Sequence, residues 1–310
     1  MNFIVFPGQG SQKIGMGKKL SDNFTEAKEV FEEVNEALKF NLTKIMWEGS
    51  ESDISLTSNA QPALMACGVA AFKVLSKLKN KNVKQLANFV CGHSLGEYTA
   101  MAVSEVFSLQ NCAVLLRLRG EAMQKAVPVG KGAMAALIGI NVSQTLEIIE
   151  KVQVHGICDI GNDNADGQVV ISGDEEAVKK AIELSKKNGV KRAILLPVSA
   201  PFHCRLMEPA KKVMEKALND IEFNTPLIPI ISNISASPET DPIILRKNLI
   251  NQVTGTVKWR QTMDYAKNIG VKKITELGSG KVLTGIAKRM IKDITNESFE
   301  NPEDFDFPLN

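Results

Sequence analysis

An α/β fold, with a small α/β subdomain inserted into a larger one built on a parallel sheet, is predicted by three observations. Residues 86–91 form a short apolar run that ends in Gly92-His93-Ser94-Leu95-Gly96 and passes into a helical segment over 97–106. Strand, sharp turn and helix in that order are the context in which a G-x-S-x-G sequence presents its serine at the end of a sheet strand. Further short apolar runs at 2–6, 226–231 and 273–277 alternate with helical segments, as a sheet covered by helices requires. Between residues 127 and 198 the pattern changes to β-α-β-β-α-β within about 70 residues, the split βαβ arrangement of a ferredoxin-like unit.

The elements follow in order. The strand at 2–6 runs into Pro7-Gly8-Gln9-Gly10-Ser11-Gln12. That loop lacks the Gly-Lys-Ser/Thr ending of a phosphate-binding loop and does not complete G-x-G-x-x-G, so it is either a tight turn or a loop whose N–H groups face a reacting centre. Amphipathic helices are expected at 24–38 and 41–47. Pro62 suits the first turn of a helix that runs to residue 78. A helix at 109–124 carries Arg117 and Arg119, which lie nearly on opposite sides, so at most one of them can face a common pocket. In the inserted unit a strand is expected at 133–140. A helix capped by Ser143 then runs to residue 152, followed by strands at 156–161 and 168–172. A helix from 175 to 188 capped by Asp174, and a strand at 192–198, complete the unit. Helices at 206–219, 243–252 and 259–269, a strand at 273–277 and a helix to residue 291 follow, and the acidic tail from residue 296 reads as poorly ordered. The division is a large α/β-hydrolase-like subdomain, residues 1–127 and 199–310, and a small ferredoxin-like subdomain, residues 128–198.

Composition narrows the function. A net charge of +2 gives no argument for nucleic acid or an anionic membrane, and no apolar stretch reaches the ~18 residues of a membrane span. The N-terminus lacks the charged head and cleavage site of a signal peptide, and five dispersed cysteines read as reduced thiols, so a cytoplasmic location is expected. No metal site is expected, because the cysteines are scattered and no C-x-x-C occurs.

Serine is a weak nucleophile and needs a base. Three histidines are available: His93, His155 and His203. His93 is adjacent to Ser94, and neighbours in a turn point apart, which suits it to lining a pocket. His155 lies in a turn of the inserted unit and reads as a surface residue. His203 follows a strand in a short loop, where open α/β sheets build their sites, and is the best candidate base. No acidic residue outside the inserted unit sits in an obvious strand-end loop between Ser94 and His203, so a backbone carbonyl or an amide is left to orient the imidazole. A buried arginine in the 109–124 helix needs a partner. The local sequence favours an internal carboxylate over an anionic substrate.

The ordered set Phe6-Pro7-Gly8-Gln9-Gly10-Ser11-Gln12, Gln61-Pro62-Ala63, Gly92-His93-Ser94-Leu95-Gly96-Glu97-Tyr98, Arg119-Gly120, Phe202-His203 and Gly280-Lys281-Val282-Leu283-Thr284-Gly285 resembles the malonyl-CoA:acyl carrier protein transacylase family over almost the whole chain. The resemblance implies transfer of a malonyl group from malonyl-CoA to acyl carrier protein for fatty acid elongation, by a monomer that uses malonyl-CoA as substrate and no cofactor. It implies that Ser94 is the nucleophile, His203 the base, and the N–H groups of Gln9 and Leu95 the oxyanion hole. Arg119 is implied as the partner of the malonyl carboxylate, and Gln252 as the source of the carbonyl that orients His203. Asn164, His93 and Phe202 are implied to lie at the acyl pocket. Phe202 stands where many relatives have serine. Ser279 stands where proline is frequent, a difference expected to matter little. A polyketide acyltransferase, a serine esterase and a non-catalytic carrier-binding module are the competing readings.

Overall fold

A computed structural model describes residues 1–187, 189–198 and 200–305. Among the described residues ten strands form two sheets. The larger holds β1 (Asn2–Phe6), β2 (Phe89–Gly92), β7 (Ile230–Ile231), β8 (Pro238–Glu239), β9 (Lys273–Leu277) and β10 (Thr295–Phe299), in the order β10-β9-β1-β2-β7-β8. All its neighbours are parallel except β8, which returns antiparallel to β7. Parallel strands need crossovers that cover both faces, and the central strands are accordingly apolar throughout: Phe3, Ile4, Val5 and Phe6 of β1 are all buried. The smaller sheet is antiparallel and holds β3 (Gly132–Ile138), β4 (Cys158–Ala165), β5 (Gln168–Asp174) and β6 (Arg192–Leu195), in the order β4-β5-β3-β6. With the helices Val142–Val152 and Glu175–Lys187 this is the ferredoxin-like topology.

Four parallel strands of the large sheet end at one edge, and the loop after each reaches one place. The loop after β1 brings Gln9, that after β2 brings Ser94, that after β7 brings Asn233, and that after β9 brings Ser279. This is the position outside the carboxyl ends of the strands where open α/β sheets bind ligands. The helix Thr57–Lys79 is buried along most of its length and packs beside the sheet. A Cβ on its Gly68 would stand 3.0 Å from both Phe6 and Thr99, which is how closely it approaches.

Several boundaries differ from the sequence reading, each for a local reason. The Thr57–Lys79 helix begins five residues before Pro62, so Pro62 lies inside it. The Ser58 carbonyl that Pro62 cannot serve accepts instead from Arg117 Nη1 at 3.4 Å. Asn141, not Ser143, caps its helix, in a reciprocal box with Gln144. Asp174 ends β5, and its carboxylate accepts from Ile157 N at 2.7 Å. The strands expected at 226–231 and 192–198 shorten to β7 and β6. The expected disordered tail is a strand over Thr295–Phe299, paired with β9, and a short helical turn over Pro302–Phe305. Residues 188, 199 and 306–310, on which parts of three expectations fall, lie outside the described residues. No helix among the described residues is long and apolar enough to cross a membrane.

Candidate active site

The helix after the turn starts at Leu95, two residues earlier than its composition suggests, and Ser94 is its N-cap. Ser94 has φ 54° and ψ −109°, a strained conformation for a residue with a side chain. The turn closes because its flanks are glycines. A Cβ on Gly92 would stand 2.0 Å from the Gly96 carbonyl carbon, and one on Gly96 would stand 2.2 Å from the Phe6 oxygen.

Ser94 Oγ lies 2.8 Å from His203 Nε2, and His203 Nδ1 lies 2.8 Å from the Gln252 carbonyl oxygen. A carbonyl only accepts, so Nδ1 carries the proton and Nε2 presents its lone pair to the serine. The two residues are 109 apart in the chain and meet through the loop after β6, where His203 takes φ 60°. Burial and the positive charge of Arg119 push the His203 pKa down to about 3, so the ring is held neutral.

Arg119 is 1% exposed. Its Nη2 donates to Ser94 Oγ at 3.2 Å and to Gln252 Oε1 at 2.9 Å, and its Nη1 donates to Gln61 Oε1 at 2.8 Å. Nε has no partner among the described residues, and the guanidinium lies 5.5 Å from the centre of the Tyr98 ring. The internal carboxylate expected for it is therefore absent from its hydrogen bonds. The nearby buried carboxylate, Glu97, is already engaged: it accepts from Gln252 Nε2 at 2.7 Å and from Asn233 N at 3.1 Å. Burial lowers the Arg119 pKa and raises that of Glu97. Arg117, on the other side of the helix, pairs with Glu121 at 2.8 Å.

Gln252 ties the site together. Its amide nitrogen donates to Ser94 O at 2.9 Å as well as to Glu97, while its oxygens receive Arg119 and His203. Asn233 accepts from Ser94 N at 2.8 Å and donates to Gly92 O at 2.7 Å. Gln9 and Leu95 both line the cleft, and their backbone N–H groups donate to no protein group among the described residues. At Leu95 this is the usual orphan donor of a helix start. The cleft has a volume of about 520 Å³ and is walled on its small-subdomain side by Met134, Asn162, Leu196 and Val198. His93 and Phe202 line it too. Asn164 reaches the site indirectly, through its Oδ1 at 2.8 Å from His93 Nε2. His155 stands apart, 3.4 Å from Glu176.

Among the described residues no group of His, Cys, Asp or Glu is arranged to hold a metal ion. Gln61, Glu97 and Asn233 had no assigned role in the sequence reading. The signal for Glu97 was available, as a lone carboxylate in an otherwise apolar helix. Asn233 sits in a polar loop whose composition says nothing of its partners.

The sequence pattern of the family described as acyl transferase domain matches residues 3–298. The malonyl CoA-acyl carrier protein transacylase of Bacillus subtilis is 38% identical over 307 residues, which cover 99% of this chain and 95% of that protein. The chain belongs to the malonyl CoA-acyl carrier protein transacylase family. The Escherichia coli transacylase is 37% identical over 299 residues, 96% of each chain. Among solved structures, an acyl-carrier-protein S-malonyltransferase from Bartonella henselae is 49% identical with a TM-score of 0.96, covering 98% of this chain and 96% of its own. A malonyl-transacylase solved in complex with a type II polyketide acyl-carrier protein is 35% identical with a TM-score of 0.94, covering 98% and 97%.

Proposed function

We propose that this transacylase moves the malonyl group of malonyl-CoA to the phosphopantetheine thiol of acyl carrier protein through a malonyl ester on Ser94, supplying fatty acid elongation as a cytoplasmic monomer. One observation carries the reading. A buried guanidinium beside the reactive serine has amide and hydroxyl partners and no carboxylate, which suits an acyl group that brings its own. The arginine fork matches a carboxylate better than a lysine would.

In the first half-reaction His203 Nε2 takes the Ser94 proton as Oγ attacks the thioester carbonyl. The N–H groups of Gln9 and Leu95 stabilise the oxyanion that forms. The C–S bond then breaks, and the proton on His203 passes to the departing coenzyme A sulfur. In the second half-reaction the carrier thiol gives its proton to His203 and attacks the ester, and Ser94 leaves with that proton. Gln252 keeps the imidazole in the tautomer both steps need, and Arg119 fixes the acyl chain in one pose, which favours the thiol over water. The pair His93–Asn164 and the Phe202 ring shape the acyl pocket. The chemistry needs no metal or cofactor. The polyketide-carrier complex of a similar enzyme favours one second reading, the same transfer to a polyketide carrier protein.

Intact-protein mass after brief mixing with malonyl-CoA tests the proposal. The expected result is a malonyl adduct that is absent in Ser94→Ala and discharges onto acyl carrier protein. Rapid release of free malonate with no adduct would make the protein a hydrolase, and neither adduct nor turnover would make it a binding module.

A further inference from the structure

The loop that carries the Gln9 N–H is held at both ends. At the first end the Phe6 carbonyl accepts from His93 N at 3.0 Å, which ties the loop to the turn bearing Ser94. At the far end the Ser11 carbonyl accepts from Ser279 Oγ at 2.7 Å. Ser279 is 1% exposed and lies in the Gly278-Ser279-Gly280 turn after β9. That turn presses on the loop: a Cβ on Gly280 would stand 3.2 Å from Ser11 Cβ. Ser11 in turn donates through Oγ to the Gly8 carbonyl at 3.1 Å, so the residue gripped by Ser279 also grips the residue before Gln9. At the crest a Cβ on Gly10 would meet nothing within 4 Å, and the loop is held there by Gly10 N donating to Gln12 Oε1 at 2.7 Å and Gln9 Nε2 donating to Thr57 Oγ1 at 3.3 Å. Its position depends on hydrogen bonds, of which the one from Ser279 is the tie to the turn after β9.

The Ser279 hydroxyl has one proton and a second acceptor in reach, Glu300 Oε1 at 3.1 Å. Lys13 Nζ already supplies that carboxylate oxygen at 2.7 Å. The lysine charge weakens the pull of that oxygen on the hydroxyl proton, and the shorter contact, to the Ser11 carbonyl, is the better placed of the two.

We infer that Ser279 is a positioning residue for acyl transfer, acting through Ser11 to hold the Gln9 N–H where the oxyanion forms. The inference rests on the proposed role of Gln9. An oxyanion donor acts on the reacting carbonyl whatever acyl chain is attached, so its displacement slows every acyl donor alike. Weak ground-state binding by the same donor leaves KM nearly unchanged.

The test is single-turnover acylation of Ser94 by malonyl-CoA and acetyl-CoA in the full-length protein, with thermal melting as a check on folding. Ser279→Ala removes the donor, and Ser279→Cys fills the same space with a much weaker one. Both should acylate about tenfold more slowly with either donor, a partial loss compared with deleting an oxyanion-hole donor outright. Lys13→Ala leaves Glu300 Oε1 without its ion pair to compete for the Ser279 proton, and should slow acylation by both donors, though less than Ser279→Ala does. A folded Ser279→Ala or Ser279→Cys protein with the wild-type rate overturns the inference, as does a loss confined to KM or to one acyl donor. If the wild-type protein itself forms no adduct, the transacylase reading fails and this inference with it.

Discussion

Arg119 Nη2 stands 3.2 Å from Ser94 Oγ while its other hydrogen bonds go to two glutamine amides, so a full positive charge sits buried at the serine oxygen without a carboxylate attached. A charge placed so is tolerable because its terminal nitrogens make three hydrogen bonds to polar neighbours and because Glu97 lies behind Gln252. It remains undercompensated until an anionic ligand arrives.

Arg119→Ala should therefore lower malonyl transfer far more than acetyl transfer. Hydrogen bonds to a charged group contribute about 2 kcal/mol, which predicts a ~30-fold larger loss for malonyl-CoA in kcat/KM. Arg119→Lys should recover little of it, since an ammonium cannot reproduce the fork. Parallel steady-state assays with the two donors decide the matter, and equal losses would remove the carboxylate role.

The pH profile follows from the same charge. His203, the proposed base, can accept a proton only when neutral, and its pKa is pushed down to about 3 by burial first and by Arg119 second. Activity on its account is present above that value and lost only as pH falls through it. kcat/KM, which reports the free enzyme, should show no histidine limb from about pH 5 to 8, where an ordinary imidazole would titrate near 6.5. Bound malonyl-CoA brings a carboxylate to Arg119, offsets the second cause and raises the pKa. The acid limb of kcat should thus lie above that of kcat/KM. A wild-type limb in kcat/KM near pH 6.5 would contradict this account.

The fold was readable where local chemistry and tertiary structure agree. Gly92 and Gly96 announce the turn at Ser94 because nothing larger fits there. The β-α-β-β-α-β rhythm announces the small sheet because its two amphipathic helices are separated by short strand-forming runs. Three features were not readable, and each depends on residues distant in the chain. The partners of Arg119 come from positions 61 and 252, and their amides leave no periodic signal. Strand β10 is polar, Thr-Asn-Glu-Ser-Phe, and is a strand because β9 offers it an edge rather than because its sequence alternates. Ser279 looked like a neutral replacement for proline until its hydroxyl was found on the Ser11 carbonyl.

Glu97 should matter through Gln252. Glu97→Ala leaves Gln252 Nε2 and Asn233 N without the acceptor they share, two buried donors whose loss of partner costs about 3 kcal/mol together. It also frees the Gln252 amide to turn its oxygen away from Arg119. Glu97→Gln keeps an acceptor in place and should lose much less. Urea unfolding and Ser94 acylation rates should fall together in the alanine variant. A stable alanine variant with the wild-type acylation rate would show that other contacts hold Gln252.

Arg260 should latch the small sheet to the large subdomain beside the cleft. It belongs to the helix Trp259–Asn268 and meets Asp163 of β4 through Nε at 3.0 Å to both oxygens and Nη2 at 2.9 Å. The Asp163 side chain is 4% exposed, and burial raises its pKa against the opposing pull of Arg260. Arg260→Ala strands a buried carboxylate, which predicts a loss of about 3 kcal/mol at neutral pH. With its cation gone, Asp163 has a folded pKa further above its unfolded value, so the folded state binds the extra proton and the deficit shrinks as pH falls. Adding Asp163→Asn should return much of the stability, since a neutral amide needs no cation. Urea unfolding at about pH 7 and pH 5 separates the outcomes: a deficit that neither acid nor the second substitution relieves would mean that Arg260 acts by packing rather than by its charge.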